Sequence, residues 1–282
     1  MASTVTRTSP SAARPAGGAT ASATGRTGAS RAAAGTSRTA ARAAARTAAA
    51  VVGSALTAVA LVLIWVARSR VDRPVYVSEL GADGEPTAAL FEAALLLVVA
   101  GGLLVAWAGR GLRAARAGRG TQPGRGTQAG RGTRAAGRLL GAWTVSTSIA
   151  AASGLFLVAS QVPCTAGCPL PVGSTFTVQD LVHTTSAVLA FAAACVAMLQ
   201  ASFVAGRGRL RVLSMTSGVS VALIAATGGL LSLLRVGTDV GGVLELVATT
   251  IAIGWLIVLG VSTLGISPGD ADRARASVRA PA

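Results

Sequence analysis

His183 is the only histidine in this chain of 282 residues, and Asp180 precedes it by three positions. Residues three apart on a helix share a face, so an imidazole and a carboxyl group are predicted to lie side by side. Two further carboxyl groups, Glu92 and Glu245, stand at the ends of apolar stretches. Ionisable groups inside apolar segments are costly and are candidates for function. This set of groups is suited to general acid–base chemistry.

Each of these four residues also has a structural interpretation. Asp180 suits the start of a helix, where the helix dipole favours an acid, and His183 suits a hydrogen bond at a helix end. The two glutamates suit ion pairs with Arg73 or Arg235. Both interpretations stay open at this point.

If the groups act together, they form one polar pocket below the loop 75–86. The predicted binding residues of this pocket are Ser78, Glu79, Arg73 and Arg235, and its candidate catalytic residues are His183, Asp180, Glu92 and Glu245.

The elements that position these residues are predicted to be membrane-spanning helices. The chain is 52% hydrophobic and 12% charged, about half the charge of a soluble domain, and its mean hydropathy is +0.62. A helix needs about 20 apolar residues to cross a bilayer. Six stretches meet this need: 48–67, 93–109 with its extension from 87, 139–162, 184–206, 212–234 and 246–266. The predicted fold is all-α, a polytopic membrane protein with a bundle of six transmembrane helices.

The distribution of arginine predicts how the bundle is oriented. All 25 basic residues are arginine, and 21 of them lie in the two tails, the loop 110–138 and the turn 207–211. An excess of arginine marks the cytoplasmic side of a membrane. We therefore expect both termini in the cytoplasm (N-in, C-in), a multi-pass protein of the cell membrane, and a pocket that faces outward.

The chain divides into three predicted parts. Residues 1–47 are rich in Ala, Ser, Thr, Gly and Arg, a composition that cannot bury a core, and we expect a disordered cytoplasmic tail. Residues 48–266 form the six-helix transmembrane domain, which includes the flexible basic loop 110–138 with its Gly-rich six-residue repeat. Residues 267–282 form a cytoplasmic C-terminal tail.

The cysteines predict a disulfide rather than a metal site. Cys164 and Cys168 fall in a loop on the predicted outer side, where oxidising conditions favour a disulfide. Their spacing is not a standard zinc pattern, and a single histidine excludes a site built from several histidines. Cys195 lies within an apolar stretch and is predicted to pack there as a small apolar side chain. We expect no metal and no cofactor.

The net charge of +15 raises the question of nucleic-acid binding. The arginine-rich segments contain no aromatic residue on which bases would stack, and they flank the apolar stretches. We therefore exclude nucleic acid as a partner and expect membrane lipids instead. The sequence points to no particular protein partner.

The segment 75–86 (VYVSELGADGEP), Phe91 and the Asp-Leu-Val-His run that ends at His183 carry a resemblance. They resemble a bacterial six-helix membrane family catalogued as domain of unknown function 998. A second group is similar at a further set of positions, the damage-regulated autophagy modulators and their relatives in GPI-lipid remodelling. These positions are Val77, Ser78, Glu79, Gly81, Phe91, His183 and Glu245. The first resemblance implies a six-helix fold without an established activity, and the second implies membrane lipid handling.

Three functions follow as hypotheses. The first is a protein that binds or organises lipid through the polar pocket in the outer leaflet. The alternative is a membrane-embedded enzyme that modifies lipid with its histidine and carboxyl groups. The third is a small transporter, which would be expected to show broken helices and inverted repeats.

The predicted orientation can be tested by cysteine labelling of intact cells. In a variant whose Cys195 is replaced by serine, we expect Gly84→Cys to react with a membrane-impermeant maleimide and Thr127→Cys to react only after the cells are opened. Labelling of Thr127→Cys from outside would contradict the N-in, C-in topology.

Overall fold

The computed structural model describes residues 24–112, 144–169, 174–204, 207–234 and 236–264. These residues form helices and connecting turns, with no β-strand among them, which confirms the all-α prediction. The six helices are α1 (Thr24–Ser69), α2 (Ala88–Ala108), α3 (Val145–Gln161), α4 (Val178–Ser202), α5 (Gly208–Leu234) and α6 (Thr238–Leu264).

Five of the six helices are long and apolar enough to cross a membrane: α1 from Ser37 onward, α2, α4, α5, and α6 from Asp239 onward. Helix α3 has 17 residues, which span about 25 Å at 1.5 Å per residue, against a hydrocarbon core of about 30 Å. The third predicted stretch began at residue 139, and residues 139–143 lie outside the described part of the chain. The fold is thus a helical bundle of the polytopic membrane type.

Helix α1 begins before the apolar stretch that the sequence predicts for it. Contacts divide the chain into residues 1–42 and residues 43–282, and helix α1 begins at Thr24, inside the stretch expected to be a disordered tail. Alanine and arginine have high helix propensity, which accounts for a helix here. Residues 1–23, most of the loop 110–138, and the tail 267–282 lie outside the described residues.

Within residues 43–282 the helices pack in chain order. Each of α2 to α5 packs against the next helix, and α6 also packs against α2. Helix α1 contacts α6: Ser54 Oγ donates to the Ile257 carbonyl at 3.4 Å, and Trp65 Nε1 donates to Thr250 Oγ1 at 3.2 Å. The Ser54 bond is partly buried between the two helices, and the Trp65 bond lies on the exposed side of the contact.

The outer surface of the bundle is apolar. Large aliphatic side chains are more than half exposed on several helices, among them Val62, Val188, Leu223 and Leu230. A soluble monomer rarely exposes such a contiguous apolar surface, whereas lipid tails accommodate it without cost. This distribution agrees with a bundle that is surrounded by lipid.

Helices α1 and α2 approach each other at a pair of glycines. A Cβ atom on Gly101 would lie 2.7 Å from the Gly53 carbonyl oxygen and 2.7 Å from Thr57 Cγ2. Real Cβ atoms do not come so near to backbone oxygen. Small residues let membrane helices pack backbone to backbone, and Gly101 serves this purpose because any side chain would separate the two helices.

We expect Gly101→Ala to destabilise the bundle by about 1–3 kcal/mol, the usual cost of overpacking. Gly154→Ala is the matched control, because Gly154 is also within a helix but nothing lies within 4 Å of its Cβ position. The control is expected to be neutral or more stable by up to about 1 kcal/mol through helix propensity. Thermal unfolding in detergent measures both, and equal melting temperatures would contradict the close-packing role of Gly101.

Candidate functional site

The loop 70–87 folds over one end of the bundle. Its central element is a short 3-10 helix, Ser78–Gly81. Thr87 Oγ1, next to the start of α2, donates to the Leu80 carbonyl at 2.8 Å. This bond joins the loop to the helix that follows it, so that the loop has a defined conformation.

Arg73 neutralises carboxylates of this same loop. Its guanidinium lies 3.2 Å from Glu79 Oε2 and forms a second ion pair with Glu85. Glu79 is buried and also accepts a bond from the Tyr76 amide at 3.3 Å. Arg73 and Glu79, two of the predicted binding residues, are therefore bonded to each other and to the loop.

The loop contacts helix α6 at two consecutive glycines. A Cβ atom on Gly242 would overlap the Val75 carbonyl oxygen, and one on Gly241 would lie 2.6 Å from the Tyr76 hydroxyl oxygen. Only residues without a side chain permit this approach. The backbone that follows Val75 consequently enters the bundle beside the first turns of α6.

Glu245 receives the hydrogen bonds of this inserted backbone. The Val77 amide donates to Glu245 Oε2 at 2.7 Å, and the amide and hydroxyl of Ser78 also interact with the carboxylate. Glu245 is thus held by neutral donors in the described part of the chain, with no arginine paired to it.

His183 is buried, with 5% of its surface exposed. Its Nδ1 lies 3.0 Å from the Ala159 carbonyl oxygen and 2.9 Å from the Val162 carbonyl oxygen, both at the end of α3. Carbonyl oxygens only accept, so Nδ1 carries the proton. In the neutral ring, Nε2 is then a hydrogen-bond acceptor.

Asp180 is fully buried, and its hydrogen bonds are local. Thr177 and Thr165 each donate to it from both the backbone amide and the hydroxyl group, at 2.7–3.1 Å. Thr177 and Asp180 form a capping box at the start of α4. The Asp180 carboxylate therefore joins the start of α4 to the segment 162–169, and its acceptor capacity is used there.

A disulfide joins Cys164 and Cys168 in the segment 162–169. The Asp83 amide of the loop 70–87 donates to the Cys164 carbonyl at 3.0 Å, so the disulfide segment and the first loop are bonded together. A ring nitrogen of His183 lies within 4.8 Å of both sulfur atoms. Together with His183, the two cysteines could hold a metal ion only after reduction of the disulfide, because a metal binds the thiolate form of cysteine.

An apolar cavity of about 100 Å³ lies in the bundle below the loop 70–87. Most of its wall is aliphatic or aromatic, with Trp255, Phe91, Phe156 and Phe191 as the largest side chains. Five residues with polar side chains line it: Ser78, Ser153, His183, Glu245 and Thr249. The cavity thus combines an apolar wall with a small number of polar groups, the usual composition of a ligand site.

A second cavity, of about 200 Å³, adjoins the first and shares Phe91, Leu95, Ala159 and His183 with it. We call it the polar cavity. Its further lining residues include Asp83, Glu92, Ser160 and Gln161. His183 thus lines both cavities. Glu92 lines the polar cavity and is exposed.

The predicted site residues therefore occupy different places. Glu245, Ser78 and His183 line the apolar cavity, and Glu92 lines the polar cavity with His183. Asp180, Glu79 and Arg73 line neither of the two and are bonded to the surrounding loops. Arg235 lies outside the described residues.

Three residues of the site were not predicted from the sequence. Thr177, the partner of Asp180, was detectable as a Thr-x-x-Asp motif before an apolar run, which is typical of a capping box. Thr165 and Asp83 had no such signal, because their partners, Asp180 and the Cys164 carbonyl, are distant in the chain.

The chemistry that this arrangement favours is non-covalent binding. An apolar chamber next to hydrogen-bond acceptors fits a molecule with one apolar and one polar end. His183 and Glu245 would also serve as proton acceptors for a bound hydroxyl or amine.

The comparisons with known proteins agree with a membrane bundle of unassigned activity. No curated protein and no solved structure matches the chain. Residues 51–262, which include all five helices after α1 except the last residues of α6, match the family described as "Protein of unknown function (DUF998)". The chain belongs to this family, as its segment 75–86 and the residues around His183 suggested.

Proposed function

We propose that this protein binds a small amphiphilic molecule, such as part of a lipid, in the two adjoining cavities, and that it does so in the cell membrane. The observation that carries the proposal is the apolar cavity whose wall also contains His183, Ser78 and Glu245. A cavity that is only a packing defect is lined by apolar groups, because a buried polar group costs free energy unless it is bonded. Here the wall contains the buried His183 and the half-buried Ser78 and Glu245.

The size of the apolar cavity limits what enters it. An engineered apolar cavity of about 150 Å³ binds one benzene molecule in another protein, and the cavity here measures about 100 Å³. It therefore accommodates a short alkyl segment rather than a whole lipid tail. The adjoining polar cavity of about 200 Å³ then receives the polar end.

The exposed side of the polar cavity supplies a route of entry. Glu92 and Asp83 line this cavity and are both exposed, whereas His183 and Phe91, in the shared wall, are buried. A ligand would enter past the two carboxylates and place its apolar end beyond Phe91. The protein's apolar outer surface keeps this entrance in contact with the membrane that supplies the ligand.

Photolabelling tests the proposal. We use a 1-octanol analogue with a diazirine on its terminal carbon, and expect it to label residues of α2 or α6 in the wall of the apolar cavity. Ala187→Leu adds three carbon atoms to that wall one turn below His183. We expect it to lower the labelling about tenfold, the effect of roughly 1.4 kcal/mol of lost binding free energy.

Ala192→Leu is the matched control, because Ala192 is on the same helix but exposed on the outer surface. This variant should be labelled as strongly as the wild type. Labelling confined to the outer surface, or unchanged by Ala187→Leu, would contradict a ligand in the apolar cavity.

A lipid-modifying enzyme is the second candidate, and the hydrogen bonds of His183 favour it. The two carbonyls at Nδ1 hold the proton there and leave Nε2 as a base, as general base catalysis requires. An enzyme predicts that cells lacking the gene accumulate a lipid substrate, detected by mass spectrometry of lipid extracts. Complementation with His183→Ala, in protein that remains folded, should then fail to remove it. Unchanged covalent lipid composition in cells without the gene would contradict the enzyme and leave the binding protein.

A further inference from the structure

The disulfide segment 162–169 places its two sulfur atoms beside a histidine of helix α4. The Sγ atoms of Cys164 and Cys168 and a ring nitrogen of His183 all lie within 4.8 Å of one another. Cys164 and His183 are buried, and Cys168 is half-buried. Cysteine sulfur and histidine nitrogen are the ligand atoms of most structural zinc sites. When the disulfide is reduced, these residues therefore present the donor atoms of a zinc site.

His183 already has the hydrogen bonds of a metal ligand. Its Nδ1 donates to the carbonyl oxygens of Ala159 and Val162, at 3.0 Å and 2.9 Å. A metal-binding histidine usually donates its other ring N–H to a carbonyl or a carboxylate, which fixes the tautomer and the direction of the ring. With the proton on Nδ1, the lone pair that can bind a cation is on Nε2. The bonds at Nδ1 are thus compatible with a metal at Nε2.

Hydrogen bonds hold the disulfide segment in place independently of its sulfur atoms. The Thr165 amide donates to Asp180 Oδ1 at 2.7 Å. Gln179 Nε2 donates to the Pro163 carbonyl, also at 2.7 Å. Within the segment, the Cys168 amide donates to the Thr165 carbonyl at 2.9 Å, which closes the turn between the two cysteines. Because none of these bonds uses a sulfur atom, we expect the turn to keep its place when the disulfide is reduced.

We infer that the reduced chain binds Zn²⁺ through Cys164 Sγ, Cys168 Sγ and His183 Nε2. Zinc–sulfur bonds of about 2.3 Å and zinc–nitrogen bonds of about 2.0 Å place tetrahedral ligand atoms about 3.5–3.8 Å apart. Rotation of the two cysteine side chains reaches this separation, because their Cα atoms are 5.1 Å apart. Three protein ligands leave the fourth position to water. The inference does not depend on the proposed function, since the metal requires no amphiphile.

Reduction and metal binding are two separate steps. A dithiol reductant gives two electrons and two protons to the disulfide and is itself oxidised to a disulfide, which leaves Cys164 and Cys168 as thiols. Zn²⁺ then binds both sulfur atoms as thiolates, and two protons are released to water. The oxidised chain offers only the imidazole. The redox state of the disulfide segment thus decides whether the metal binds.

Zinc titration of the full chain in detergent tests the inference. The chain carries no polyhistidine tag, and its disulfide is reduced under nitrogen with a phosphine that is then removed. We expect the reduced chain to bind one Zn²⁺, measured by competition with a chromophoric chelator. The oxidised chain should bind at least about 100-fold more weakly, because losing an outer partner of a metal ligand alone costs 10–100-fold. Equal affinity of the two forms, or no zinc bound by the reduced form, would overturn the inference.

Variants assign the ligands, and all are compared in the reduced state so that the disulfide itself plays no part. Cys168→Ser and His183→Ala each remove one ligand, and each should weaken zinc binding by at least about tenfold. Cys195→Ser is the control, because it removes a thiol of helix α4 outside the disulfide segment, and it should bind zinc as tightly as the wild type. Zinc binding that survives Cys168→Ser unchanged, or that Cys195→Ser abolishes, contradicts the assignment. If His183→Ala does not fold, the half-buried Cys168 decides alone.

The rate of re-oxidation gives a second readout. Bound Zn²⁺ holds both sulfur atoms as ligands, so the thiols of the reduced chain should remain reactive toward a maleimide for longer in air when zinc has been added and then removed by chelator before labelling. Mg²⁺ prefers oxygen ligands and should give no protection. Equal loss of thiols with either cation would count against a site that contains both cysteines.

Discussion

Glu245 places a carboxyl group about two turns inside an otherwise apolar helix, and the cost of that placement constrains the rest of this end of the bundle. A carboxylate in an apolar surrounding must find donors. Here they come from the backbone of the loop 70–87, whose Val77 amide reaches the carboxylate at 2.7 Å. The loop can reach it because Gly241 and Gly242 leave room for Val75 and Tyr76. A loop that would otherwise lie on the membrane surface is thereby inserted among the helices.

The disulfide segment 162–169 is held in place by a different carboxylate. Asp180 accepts hydrogen bonds from Thr165 and Thr177, so the start of α4 and the disulfide segment 162–169 form one unit. The bond from the Asp83 amide to the Cys164 carbonyl joins this unit to the first loop. Both loops are therefore hydrogen-bonded to each other above the cavities, and Asp180 accepts its bonds from the threonines of these segments.

The bundle contains both close helix contacts and a cavity. Where small residues meet, as at Gly53 and Gly101, the helices touch through their backbones. Where aromatic side chains meet, as in the edge-to-face pair of Phe156 and Phe191 at 5.6 Å between ring centroids, they hold the helices apart beside the cavity. Helices α1 and α2 are in close contact, whereas a cavity remains between α2, α3, α4 and α6.

The sequence by itself determined the class of this protein. Apolar runs of about 20 residues have one stable arrangement in a membrane, the helix, because every backbone group must be bonded within its own segment, and the motifs around Phe91 and His183 pointed to the correct family. The tertiary structure alone decided the roles of the ionisable residues. Asp180 and His183 are neighbours on one helix, yet one faces the loop and the other the cavities, because side chains three apart diverge by about 60° around a helix with 3.6 residues per turn. Glu245 and Val77 are 168 positions apart. A local sequence pattern does not predict their contact, because it depends on how the six helices pack.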